Sequence, residues 1–141
     1  MKIYCAGPIR GDRSYEPYFK EIVQLIQEMG HIPLTELTTQ IEAARTSAPD
    51  DRGIYQRDRD WLEQAQALIA EVSAPSLGVG YEICYALHVR RIPVLCLRHR
   101  SSPAISAMIS GNISKLLTLE AYATKRELDE KLRMFIGNMR D

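Results

Sequence analysis

The chain is 141 residues long, 45% hydrophobic and 26% charged, which fits a single soluble domain over residues 1–141 that buries its own core without disulfides or metal. Eighteen basic and eighteen acidic side chains cancel, so the overall field offers nothing to a nucleic-acid polymer, although one helix end can still attract a small anion. Cys5, Cys84 and Cys96 are odd in number and sit in apolar surroundings, as buried reduced thiols do, and His31, His88 and His99 lack the pairing of a metal site. No secretory leader and no run of eighteen apolar residues occurs, so the expectation is a cytoplasmic protein, nuclear as well in a eukaryote, that does not enter the membrane.

Along the chain, strand and helix patterns alternate. Residues 2–6 form a short apolar run ending at Gly7-Pro8, and residues 15–29 carry Phe19, Ile22, Val23, Leu25, Ile26 and Met29 at helical spacing before Gly30. Residues 31–34 read as a second strand, followed by a polar stretch, 35–52, long enough to be a binding loop. Residues 53–66 restart a helix, with Ile54, Trp61, Leu62 and Ala65 on its apolar side and Asp58 and Asp60 near the other. Residues 67–72 are almost continuously apolar, as in a strand covered on both faces. Then come a helix at 81–90, a strand at 93–97, a short helix at 103–110, a weak edge strand at 115–119 and a closing helix at 124–139. Five strands in repeated βα units predict a parallel sheet between two helical layers, with ligands beyond the carboxyl ends of the strands.

Two Gly-bearing loops fall on that side, residues 7–11 and 73–80. In the second, Ser76, Gly78 and Gly80 leave a thin backbone at a helix start, where unpaired N–H groups and the macrodipole favour phosphate. Glu82 is expected in the first turn of that helix. Gly78-Val-Gly80 is no dinucleotide fingerprint, since Ile83 stands where the third glycine belongs, and no Gly-Lys-Ser/Thr follows to make a P-loop. Taken alone, Glu82 could merely complement the helix dipole and Asp58 could lie on a solvated face. Taken as a pair, the two carboxylates suit displacement at an anomeric carbon, one attacking while the other handles the proton.

Four blocks carry a resemblance: Tyr4-Cys-Ala-Gly-Pro-Ile-Arg-Gly11, Asp58-Arg-Asp-Trp-Leu62, Ala70-Glu-Val-Ser-Ala-Pro-Ser-Leu-Gly-Val-Gly-Tyr-Glu82 and Ser106-Ala-Met-Ile-Ser-Gly111. In this order they resemble the 2′-deoxynucleoside 5′-phosphate N-hydrolases, a branch of the nucleoside deoxyribosyltransferase superfamily. The resemblance implies a flavodoxin-like (Rossmann-like) three-layer α/β sandwich around a five-stranded parallel sheet. It also implies hydrolysis of the N-glycosidic bond of a deoxynucleoside monophosphate to free base and 2-deoxyribose 5-phosphate, through a glycosyl-Glu intermediate. By position, Glu82 matches the nucleophile and Asp58 the carboxylate that assists proton transfer. Ser76 and Gly78 match holders of the 5′-phosphate, and Tyr4, Gly7, Ile9, Arg10 and Gly11 match the lining of the sugar and base pocket. Ser106 and Met108 match residues supplied by the other subunit of a homodimer. Neither a metal nor an organic cofactor is called for.

The chain departs from that pattern in two places. Pro8 stands where the hydrolase branch often has Ser, so Ala-Gly-Pro is more like the deoxyribosyltransferases, and Cys84 replaces a usual Gly, expected as a buried packing change. Tyr15, Tyr18 and Arg13 are either base contacts or surface residues of the first helix, and Arg98-His-Arg100 reads as a solvated loop. The rivals to the hydrolase are a deoxyribosyltransferase, a ribonucleotide hydrolase of the CMP type and a non-catalytic nucleotide-binding domain.

Overall fold

Every residue of the strand Ala67–Glu71 is buried, the condition of a strand with helices on both faces. The computed structural model of the chain describes residues 1–9, 11–37 and 49–139. Arg10 and most of the polar stretch, residues 38–48, therefore lie outside the described residues. Strands β1 (Lys2–Ala6), β2 (Ile32–Leu34), β3 (Ala67–Glu71), β4 (Val94–His99) and β5 (Leu117–Tyr122) form one sheet in the order β2-β1-β3-β4-β5, with every pair parallel. The helices are α1 (Glu16–Glu28), α2 (Asp51–Gln64), α3 (Leu77–Tyr85), α4 (Ala107–Ser110) and α5 (Lys125–Asn138). This is the flavodoxin-like strand order, in a three-layer α/β sandwich.

Strand alternation sorts the core into two layers. Ile3, Cys5, Ile69, Leu95, Leu97 and Tyr122 face α1 and α5, where Phe19, Ile22, Leu128 and Leu132 meet them. Tyr4, Ala6, Leu68, Ala70, Val94 and Cys96 face α2 and α3, against Leu62, Val79 and Ile83. The chain leaves β1 through α1 to β2 on one side and returns to β3 on the other, so the strand order switches between β1 and β3. The opening beyond their carboxyl ends is where such sheets bind ligands.

Local chemistry sets the helix ends. Gly30, at φ +81°, closes α1 with its N–H on the Gln27 carbonyl while His31 N–H reaches that of Ile26, a Schellman arrangement that glycine favours. The Asp50 carboxylate accepts from Gly53 N–H (2.8 Å) and so starts α2 earlier than the apolar pattern predicts. Ser76 does the same for α3, accepting from Val79 N–H (3.3 Å). That helix begins at Leu77 rather than at residue 81, because the cap and the buried side chains of Val79 and Ile83 outweigh the low helix propensity of two glycines. Glu82 consequently sits in the second turn, not the first. A π-helical stretch, Ala86–Arg90, extends α3, and Arg91 at φ +53° ends it.

Three further expectations change. Strand β5 runs on to Tyr122, pairing with β4 along its whole length, because the Tyr122 ring is buried there. Arg98 and His99 belong to β4, and Arg100 pairs with Glu127 at 2.7 Å, so this tripeptide is no free loop. Cys5 and Cys96 are buried, but Cys84 is exposed, since it follows the inward-facing Ile83 and shares the outer face of α3 with Gly80. Among the described residues no helix is long and apolar enough to cross a membrane.

Candidate active site

Beyond β1 and β3 opens a cleft of about 500 Å³, within the range of small-molecule sites. Tyr4 and Gly7, from β1 and the turn after it, form its floor, with Ile9 and Gly11 at the side. Helix α2 contributes Ile54 and Asp58, and the amino end of α3 contributes Ser76, Gly78 and Glu82. Eight expected site residues thus surround one space. Arg10 lies outside the described residues.

Close packing builds the floor. A Cβ on Gly7 would stand 2.6 Å from the Phe19 ring, so only glycine lets the turn after β1 pass over α1. Gly11, at φ +91°, turns the loop back toward α1 in a conformation that L side chains rarely adopt. At the far wall the requirement is different. A Cβ on Gly78 would meet nothing closer than the Ser76 Oγ at 4.0 Å, and one on Gly80 would meet nothing within 4 Å. Packing within the chain therefore does not explain these glycines; Gly78 presents thin backbone to the cleft, whereas Gly80 faces away from it. Leu77 and Gly78 are the first two residues of α3, so their N–H groups have no acceptor inside the helix and are placed to donate to an anion.

The carboxylates line the same cleft, Glu82 from the second turn of α3 and Asp58 from α2. Burial pushes the Glu82 carboxyl up to about 8; a hydrogen bond from the Tyr4 hydroxyl opposes the shift, nearby Asp58 and Glu36 add to it, and Arg57 lowers it. Tyr4 itself is held far above the ordinary phenol range, first by burial and then by the Glu82 and Asp58 charges, so it stays a donor. Asp58 is half-buried and also shifted upward by desolvation, against the pull of Arg57. Arg57 donates to Asp58 Oδ1 from both Nε and Nη2, each at 3.0 Å, pairs with Glu36, and lies 4.7 Å above the Trp61 ring. Asp58 is thus on no solvated face. Two acids shifted upward by desolvation in one cleft, with Asp58 adding to the Glu82 shift, are a recurring mark of acid–base chemistry.

Sequence reasoning missed Arg57 and Glu36. Arg57 carried a signal, since it precedes Asp58 directly, whereas Glu36 stands far away in a polar stretch that shows no pattern. Tyr15 and Tyr18 do not line the cleft: both pack on His99, with ring centroids 5.9 and 4.7 Å away, and Arg13 pairs with Glu16. Among the described residues, no group of three or more His, Cys, Asp or Glu side chains is arranged to hold a metal ion.

Ser106 and Met108 lie elsewhere. Ser106 caps α4, accepting from Met108 N–H at 3.2 Å, and both residues line a second, largely apolar groove between α3 and α4. The turn Pro75-Ser76-Leu77 and Val79 line the cleft and the groove alike, forming a ridge between them. The groove measures about 690 Å³. On its rim Met108 is 81% and Leu77 97% exposed.

A model of the family described as nucleoside 2-deoxyribosyltransferase matches residues 3–130. A protein of Methanosarcina mazei that carries the provisional name 2′-deoxynucleoside 5′-phosphate N-hydrolase 1 is 42% identical over 135 residues, 95% of this chain and 83% of its own length. The 5-hydroxymethyl-dUMP N-hydrolase of Tetraodon nigroviridis is 35% identical over 144 residues, covering 99% of this chain and all of that protein. Among solved structures, the CMP N-glycosidase of Clostridium botulinum superposes with a TM-score of 0.66 at 14% identity, covering 94% of this chain and 98% of its own, a likeness of fold. With the family model spanning nearly the whole chain and relatives of this similarity, the chain belongs to the nucleoside 2-deoxyribosyltransferase family.

Proposed function

We propose that this protein hydrolyses the N-glycosidic bond of 2′-deoxynucleoside 5′-monophosphates, releasing the base and 2-deoxyribose 5-phosphate. The observation that carries the reading is the Glu82–Asp58 acid pair, set in one cleft together with a capped helix end that has donors to spare. The names of the relatives, N-hydrolases of deoxynucleoside 5′-phosphates, support the same reaction.

In this mechanism the 5′-phosphate accepts from the Ser76 hydroxyl and the first N–H groups of α3, which holds C1′ over Glu82 and uses remote binding to lower the barrier. A Glu82 carboxylate oxygen forms a bond to C1′ as the C1′–N bond breaks, and the electron pair of that bond leaves with the base, which takes a proton from Asp58. Water then attacks C1′, gives its proton to Asp58 and releases Glu82. Since burial leaves a proton on Glu82 at neutral pH in the free cleft, that proton must pass to Asp58 before attack. Tyr4 orients the Glu82 oxygens, and Gly7, Ile9 and Gly11 border the sugar and base.

The reading extends to a second copy of the chain. The groove and the exposed Met108 support a homodimer, in which the partner's Ser106 and Met108 complete each phosphate site over the ridge at Ser76. The deciding experiment incubates the protein with each deoxynucleoside monophosphate, ribonucleoside monophosphate and deoxynucleoside and follows release of free base by chromatography. Deoxynucleoside monophosphates are expected to exceed plain deoxynucleosides on the order of a hundredfold or more in kcat/KM, with ~1.4 kcal/mol per tenfold. Equal turnover of the two, or base exchange faster than hydrolysis, would place the chain with the transferases, as Pro8 suggests.

A further inference from the structure

Glu71, at the end of β3, is fully buried, yet the mechanism above does not use it and it lines neither the cleft nor the groove. An acid is rarely retained in such a place unless donors satisfy it. Here they do so from two sides. Oε1 accepts from Ser73 N–H at 2.5 Å, and Oε2 accepts from the Tyr122 hydroxyl of β5. Ser73 in turn accepts, on its Oγ, the His99 N–H of β4 at 2.7 Å.

The consequence lies in where the chain goes next. Val72 N–H makes the last ladder bond of this strand, to the Leu97 carbonyl (2.9 Å), and beyond it the backbone must leave the sheet and turn into α3. Ser73 is the first residue of that turn, Ser76 its last. The Glu71 carboxylate fixes the amide of Ser73, while the Ser73 hydroxyl ties the same residue to β4, so the turn begins from a point held by β3, β4 and β5 together. A neutral amide replaces it only in part: with its oxygen on the Ser73 N–H, its NH₂ faces the Tyr122 hydroxyl, which must stop donating and turn to accept.

We propose that Glu71 is a positioning residue for the phosphate-binding turn: through Ser73 it sets the place of Ser76 and of the leading N–H groups of α3. The proposal rests on the reading above that this end of α3 holds the substrate phosphate. Its effect falls on binding rather than on the chemical step, since Glu82 and Asp58 are carried by the second turn of α3 and by α2.

The test uses Glu71→Ala and Ser73→Ala. In each variant and in the wild type, inorganic phosphate is titrated while the amide signals of Leu77 and Gly78 are followed by NMR. Steady-state kinetics on a deoxynucleoside monophosphate and thermal melting are measured on the same samples. The expectation for both variants is a phosphate Kd and a nucleotide KM raised about tenfold, with kcat within about threefold of wild type and a cooperative melt retained. Tyr122→Phe, which keeps the Ser73 contact, should shift the same quantities in the same direction by less. A purely structural role would instead lower the folded fraction and the apparent kcat with KM unmoved, and that result overturns the proposal. So does an unchanged phosphate Kd. If the wild type binds phosphate at these amides, with the variants weakened, but cleaves no nucleotide, the reading of function fails while the positioning role stands. If the wild type shows no phosphate response there, both fall.

Discussion

The two faces of the sheet are built from different side chains. Against α1 and α5 the packing is large: Phe19, Ile22, Ile26, Leu95, Leu97, Leu128 and Leu132 are all essentially closed to solvent. Against α2 and α3 alanines recur, Ala6, Ala65, Ala70 and Ala86, and this face carries the cleft. Small side chains bring α2 and α3 close to the strands, so Asp58 and Glu82 reach the ends of β1 and β3. The face packed with large side chains thus leaves the other to hold acids and thin backbone, features that cost stability. Division of labour between a closed face and an open one is the property to break.

The largest effect is expected at the open face. Glu82→Gln should lower turnover roughly a thousandfold or more, because an amide cannot attack C1′, while nucleotide affinity changes little. The same variant should gain stability at alkaline pH. With its pKa raised from 4.5 to about 8, Glu82 keeps its proton in the folded chain where the unfolded chain has lost it. Its contribution therefore favours folding least above pH 8 and declines between about pH 4.5 and 8. Denaturant melts of wild type and variant across pH 5–9 should diverge through that window, and parallel curves would show that Glu82 is not held protonated. On the activity side, kcat/KM should fall as pH rises through about 8, because the acid pair then loses the one proton that passes from Glu82 to Asp58 and on to the base.

On the closed face the prediction reverses. Leu132→Ala, at a position with no solvent exposure, should cost about 2–5 kcal/mol of stability and leave KM and kcat of the folded fraction unchanged. A selective loss of activity there would mean that the two faces are coupled.

Mixing joins the open face to a second copy. Glu82→Gln and Ser106→Ala are each expected to be impaired, and mixed together they should regain up to about a quarter of wild-type activity, since a hybrid dimer carries one intact site. A mixture no more active than the mean of its parts would remove Ser106 from the partner's site.

Much of this was legible because its causes are local. The buried run 67–71, the helical spacing from Phe19 to Ile26 and the stop at Gly30 each carry their own signal, and the strand order follows from the connections. The start of α3 was not legible, because two glycines interrupt the apolar pattern before residue 81, whereas the Ser76 cap and the burial of Val79 decide. Glu71 passed unnoticed within an apolar block, since its partner Tyr122 comes from β5, 51 residues away, and the His99 N–H that holds Ser73 comes from β4. Arg57 and Glu36 meet only in three dimensions, where the loop after β2 approaches α2.

The smallest expected effect tests whether glycine on the open face serves the chain or its ligands. Gly80 lies in α3 at a negative φ, lines the groove rather than the cleft, and has open space where a Cβ would stand. Within an isolated chain, Gly80→Ala should therefore stabilise by up to about 1 kcal/mol, through helix propensity and a less free unfolded state. Where a second copy packs along the groove, the added methyl would stand between the two surfaces and weaken their association. Measuring thermal stability and sedimentation over a range of protein concentrations separates the two. A gain at every concentration with the association constant unchanged would mean that Gly80 faces solvent in the working protein, and that the second copy sits elsewhere. A gain at low concentration that shrinks as concentration rises, together with weakened association, is the outcome expected from a groove filled by its own kind.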